Sequence, residues 1–195
     1  MRRRMYLVVG AGAAIAASVA VTATYAAFST TSVSSANSYT AGSVTLADND
    51  GGARMLSLTA ATPGSSATGC IAVTYNGSLN ATVRLYGAVT GSLAPYLMLT
   101  VTRGADPAPS FGSCTTFVPD LTNYLGSGAG VVYSGLLSAF PSSYAAGIVD
   151  PTSGTPETWT TAEAHSYKFV ISLNNDSAAQ GLSSTATFAW EARNQ

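Results

Sequence analysis

Charge is what this 195-residue chain has least of: only 9% of its residues are Asp, Glu, Lys or Arg, and histidine occurs once. Of the eight basic residues, three stand together as Arg2, Arg3 and Arg4, and Lys168 is the sole lysine. So few cations offer no basic face to a phosphate backbone, which excludes nucleic acid as a partner. A single imidazole excludes the HExxH zinc motif, which needs two histidines one helical turn apart. It also leaves a serine hydrolase with His165 as its only base, and the Gly-x-Ser-x-Gly elbow is missing too. Helical periodicity is absent from every window of a dozen residues except for a single turn at "SGLLSAF", which excludes an all-α fold. Low charge further means that little repulsion keeps copies of the chain apart, and that Ser, Thr, Asn and Gly must carry solubility.

The most apolar stretch is at the start. Arg2 to Arg4 precede an uncharged Ala/Gly-rich run and then small residues, the order of a secretory signal peptide. We expect a signal over residues 1–27, cut after Ala26 or Ala27, and a domain over residues 28–195. The run is too weakly apolar to be a convincing membrane anchor. Without the three leading arginines, five basic residues face nine acidic ones, about −4, so the exported chain is mildly acidic. Two cysteines, Cys70 and Cys114, favour one disulfide in an oxidising compartment, with two free buried thiols as the alternative.

Past the start the dominant period is two. In "SLNATVRLYG", Leu79, Ala81, Val83 and Leu85 face one way while Asn80, Thr82, Arg84 and Tyr86 face the other. "YLMLTVTRG" sets Leu97, Leu99 and Val101 on one face, and "AHSYKFVISL" aligns His165 with Tyr167, Phe169, Ile171 and Leu173. "ARMLSLTA", "CIAVTYNG", "CTTFV", "GVVYSG" and "STATFAWEA" are further candidate strands, and Asn76-Gly77 reads as a tight hairpin. Eight or nine short strands with Gly, Pro and Asn between them predict an all-β fold, a single sandwich of the jelly-roll kind. "GADPAPSFGS" and "PSSYAAGIVDPTSGTPETWTTAE" read as long loops between the later strands.

Candidate chemistry is sparse. His165 sits on an apolar strand face and reads as a packed histidine rather than a ligand. "DNDGG" reads first as a turn, with Asp48 and Asp50 as weak calcium candidates. Glu157, Glu163 and Glu191 are scattered, and "GSGAG" precedes a strand where a phosphate cradle needs a helix. We expect no catalytic residue, no metal site and no cofactor.

The succession "YAAF", "YTAGSVTL", "DNDGGARMLSL", "TPGSSATGCIAVTYNGSLNATVRLYG" and the closing "ATFAWEARNQ" resembles the TasA/camelysin family of exported bacterial proteins. The resemblance covers most of residues 25–103 and the last strand, and residues 104–161 have no counterpart. It implies a jelly-roll-like sandwich, processing by a dedicated signal peptidase and secretion to the cell surface. For the TasA branch it implies a biofilm-matrix fibre subunit whose N-terminal segment adds as a strand to the next subunit. Residues 28–38 are then the candidate donor strand, with Phe28, Val33 and Ala36 as pocket-filling side chains, and the partners are other copies, matrix proteins or glycans. The camelysin branch implies a cell-surface metallopeptidase, for which this chain offers only His165 and scattered carboxylates. The cysteine pair departs from the TasA branch. A third reading is a monomeric adhesin or glycan-binding domain using Tyr124, Tyr133, Tyr144 and Trp159.

Overall fold

A computed structural model of the chain describes residues 29–32, 42–150 and 156–195. Its strands are β1 (Ser29–Ser32), β2 (Leu46–Asp48), β3 (Ser66–Tyr75), β4 (Ala81–Thr90), β5 (Leu97–Ala105), β6 (Val118–Pro119), β7 (Val131–Leu136), β8 (Ile148–Val149), β9 (Ala164–Leu173) and β10 (Thr185–Asn194). The helical turns among the described residues are three-residue 3-10 turns, one of them Leu137–Ala139 within "SGLLSAF". None of the described helices is long and apolar enough to cross a membrane.

The fold is all-β, as the alternation predicts. Two antiparallel sheets form a sandwich, one in the order β1-β10-β4-β8, the other in the order β2-β3-β9-β5-β6 with β7 also on β5. Period-two alternation in each long strand sends one set of side chains into the shared core. Ala81, Val83 and Leu85 come from β4, Leu97, Leu99 and Val101 from β5, and Phe169, Ile171 and Leu173 from β9. Aromatic side chains stitch the sheets together across the core. Phe169 of β9 lies 4.7 Å from Phe188 and 6.0 Å from Trp190 of β10, ring centroid to centroid. Each such side chain contributes about 1.5–3 kcal/mol by leaving water.

Cys70 on β3 and Cys114 in the β5–β6 connection form a disulfide, with Cα atoms 5.2 Å apart. It ties the first long loop to the sheet, and the Gly112 amide adds a bond to the Cys70 carbonyl at 2.8 Å.

Three strand-level expectations are corrected. Asn76-Gly77 does not turn a hairpin, because β3 and β4 lie in different sheets and the segment crosses between them. Gly77 is required there for close approach: a Cβ would meet the Tyr75 hydroxyl at 2.2 Å and the Ser43 carbonyl oxygen at 2.5 Å. "ARMLSLTA" forms no strand; its Met55, Leu56 and Leu58 pack against the core from an irregular segment. "CTTFV" contributes only the start of the two-residue β6. The signal segment, Ala26, Ala27, Phe28, Val33 and Ala36 lie outside the described residues.

"DNDGG" is a turn stabilised by its own side chains. Asp50 Oδ1 accepts from the Gly52 amide at 2.6 Å, and Asn49 Oδ1 accepts from Ala72 of β3 at 3.0 Å.

Candidate functional site

The alternation of β5 that buries Leu97, Leu99 and Val101 continues to a charged residue on the same face, Arg103, whose side chain is 8% exposed. A guanidinium cannot stay charged in that position without partners, and four chain segments bring them. Asp120, just after β6, pairs with Nη1, and Glu157 pairs with Nη2. Asp150, just after β8, places Oδ1 2.6 Å from Nε, an ion-pair contact rather than an aligned hydrogen bond. His165, at the start of β9, has both ring nitrogens 3.0 Å from Nη2. Tyr124 closes the group, donating to Asp120 at 2.8 Å.

Asp150 is the most enclosed member, with 2% of its side chain exposed. Its Oδ2 accepts from Trp159 Nε1 at 2.7 Å and its Oδ1 from the Tyr167 hydroxyl at 3.1 Å. Trp159 is fully buried and stacks edge-on to His165, 4.6 Å between centroids. The imidazole in turn faces three carboxylates: Nε2 lies 3.2 Å from Glu163, 3.5 Å from Glu157 and 3.7 Å from Asp150.

Three carboxylates therefore converge on one permanent cation while a fourth, Glu163, reaches His165, and the protonation equilibria reflect it. Burial pushes the Glu157 carboxyl up to about 7 from an ordinary 4.5, against the pull of Arg103 and His165. Burial raises Asp150 as well, opposed by Arg103. His165 is lowered by burial and by Arg103, so it is a neutral imidazole at pH 7. Glu163 is lowered in spite of its burial, because the Thr160 amide and His165 hydrogen-bond its charged form. Burial disfavours the charged form of Arg103, but the carboxylates outweigh it and raise its pKa.

His165 is thus packed, as expected from its strand face, yet it is not an isolated core residue. Glu157 and Glu163, far from scattered, meet at this one imidazole, whereas Glu191 sits elsewhere, bonded to Tyr86 and Arg193. Asp150, Glu157 and His165 bring ligand atoms within 4.8 Å of one another, a spacing that a metal ion also spans. Here the centre of the group is taken by a cation of the chain itself, the Arg103 guanidinium.

The aromatic residues of the middle region do not share a surface. Trp159 is in the core, and Tyr133 stacks on Phe140 at 5.0 Å. Tyr144 lies under Arg193 at 3.8 Å and Arg84 at 5.2 Å, while Tyr124 belongs to the ion cluster. That dispersal, and the burial of Trp159, leave no ring platform for a sugar built from these four.

A second feature lies on the other sheet edge. β1 pairs with β10 from Ser29↔Arg193 to Ser32↔Trp190. Among the described residues, no strand continues that pairing along Thr185 to Ala189. Beside Thr185–Ala189 a cavity of about 720 Å³ opens between the sheets, lined by Met55, Leu56, Leu58, Ile171, Ala186 and Phe188 among others.

No protein-family model matches the chain, and comparison with curated proteins returns no match.

Of the cluster, sequence reasoning singled out His165 as packed and Glu157 and Glu163 as scattered, and passed over Arg103, Asp120 and Asp150. Arg103 had a signal, since it stands two residues beyond Val101 on a buried face and so had to be buried and paired. Asp120 and Asp150 had none, because only the tertiary fold brings their loops to β5.

Proposed function

We propose that this chain is a secreted structural protein of the cell surface or biofilm matrix that assembles into fibres by addition of its N-terminal segment, residues 28–38, to a second copy. The observation that carries the reading is the outer edge of β10, half covered among the described residues: Ser29–Ser32 occupy positions 190–193, and the groove beside positions 185–189 has room for more chain. Main-chain hydrogen bonds along such an edge supply affinity without a specialised interface, and adjacent pockets select side chains. A second copy's segment that took the place of β1 and kept its register would set Ala36 opposite Ala186, which lines the groove, and Val33 opposite Ala189. Opposed residues share a face, so Ala36 would point into the groove and Val33 away from it. The low charge of the surface and the single lysine also leave sheet edges with little of the usual protection against pairing. The disulfide fits an oxidising, extracellular setting.

Deleting residues 28–38 tests the proposal. The expected product is a folded monomer that forms no fibres by electron microscopy, and fibres from the truncated protein would overturn the reading.

A further inference from the structure

The opposite edge of the same sheet is covered. Residues 148–150 and 156–159 run along the outer side of β4 as a strap: Ile148 and Val149 pair with Leu85 and Arg84, and the Asp150 amide donates to the Val83 carbonyl at 3.2 Å. Trp159 and Ala81 exchange two main-chain bonds of 2.8 and 3.1 Å. The two parts of the strap are joined by the Glu157 amide, which donates to the Asp150 carbonyl at 3.1 Å. From Ala81 to Leu85, the bonds that cover the β4 edge therefore lie within a few residues of Asp150 or Glu157; farther along, Gly87 donates to the Pro141 carbonyl at 2.9 Å.

We propose that the Asp150–Glu157 carboxyl pair is a proton-operated latch: one proton held between them closes the strap on β4, and its loss loosens the strap and frees that edge for pairing with another strand. The geometry leads there by counting charge. Arg103 from β5 is the one permanent cation, and it faces Asp150, Glu157, and Asp120 from the β6–β7 connection. Glu163 at the end of the strap and the neutral His165 of β9 complete the charged and titratable surroundings, with the Tyr124 and Tyr167 hydroxyls. Two enclosed carboxyls sharing one guanidinium cannot both ionise without cost. The oxygens of Asp150 are engaged by Trp159, Tyr167 and Arg103, so Asp150 keeps its charge and the proton rests on Glu157, one of whose carboxyl oxygens lies within 4.8 Å of an Asp150 oxygen.

The direction follows from linkage. Because Glu157 is raised from 4.5 to about 7 in the closed state, its contribution is complete below about pH 4.5 and is lost as pH rises through about 7. His165 acts in the opposite sense: being lowered, its contribution is present above its ordinary 6.5 and fades with acid. Above about pH 6.5 the His165 contribution is already complete while that of Glu157 is still being lost, so the strap loosens as pH rises through about 7.

The test is amide hydrogen exchange on the full exported chain at pH 6 and pH 8.5, corrected for intrinsic rates and referred to β9 as an internal standard. Protection of Ala81, Asp150 and Trp159 should fall relative to β9 by up to about tenfold at the higher pH, the ratio that a shift from 4.5 to about 7 allows. Glu157→Gln keeps a donor toward Asp150 but cannot ionise, and should abolish the loosening at the higher pH, leaving only the opposite trend set by His165. Equal relative protection of the wild-type strap at both pH values would overturn the proposal. So would a pH dependence that persists unchanged in the Gln variant.

Discussion

Replacing Arg103 by methionine keeps the length of the side chain and removes its charge, which isolates what the guanidinium does. In the wild type it touches three carboxylates while its own side chain is 8% exposed and that of Asp150 only 2%. A pair of unit charges about 4 Å apart is worth on the order of 4 kcal/mol at an effective dielectric near 20, and desolvation cancels much of that for an intact pair. Removing one partner is different, because the desolvation of Asp150 remains and its compensation is gone, at a cost of about 3–5 kcal/mol. For a domain of this size that is roughly 6–20 °C in Tm. Urea unfolding followed by the fluorescence of Trp159 and Trp190, both buried, measures it, with the slope against denaturant checking that the two-state comparison is fair. The orphaned carboxyls of the variant bind protons more readily when folded than when unfolded, so its deficit should shrink as pH falls from 7 to 5. A deficit below about 1 kcal/mol at pH 7 would class the cluster with exposed ion pairs and refute the argument. So would a deficit that does not change with pH.

Two further outcomes rest on other parts of the fold. Replacing both Cys70 and Cys114 by alanine opens a cross-link spanning 44 residues, which should lower stability by about 4 kcal/mol in the chain-entropy model; thermal unfolding of the variant against the oxidised parent reads it. Gly87→Ala puts a Cβ 2.1 Å from the Thr187 carbonyl oxygen, so the β4–β10 ladder must part locally, at about 1–3 kcal/mol, visible as a lower urea midpoint.

The long strands were legible because each presents one face to the core and the other outward, and a period of two survives in "ATVRLYG" and "SYKFVISL" whatever surrounds them. The short ones were not. β6 and β8 are two residues each, and their pairing is decided by the neighbouring edge rather than by their own composition. "ARMLSLTA" misled because an irregular segment packed on a core can be as apolar as a strand. For the ion cluster, the sequence shows the ionisable residues but not their meeting. Arg103 and Glu157 are 54 positions apart and Arg103 and His165 are 62, distances at which no local pattern operates. That β10 has no outer partner along Thr185–Ala189 among the described residues was equally invisible, since an edge is a property of the sheet and not of the strand.

The register of β10 also bears on how the molecule comes to be folded. Its partners in β4 lie about a hundred residues earlier, from Thr185↔Thr90 to Asn194↔Ala81, and it is the last strand in chain order. As the chain emerges N-terminus first, β4 has no β10 to pair with until residues 185–194 appear. The sheet that holds β4 therefore waits for a segment about a hundred residues later, and pairings so distant in sequence close slowly. Until then the core-facing side chains of β3, β4 and β5 have no opposite sheet complete enough to cover them, which makes the interval before β10 arrives the one in which the chain is most exposed to mispairing with its neighbours.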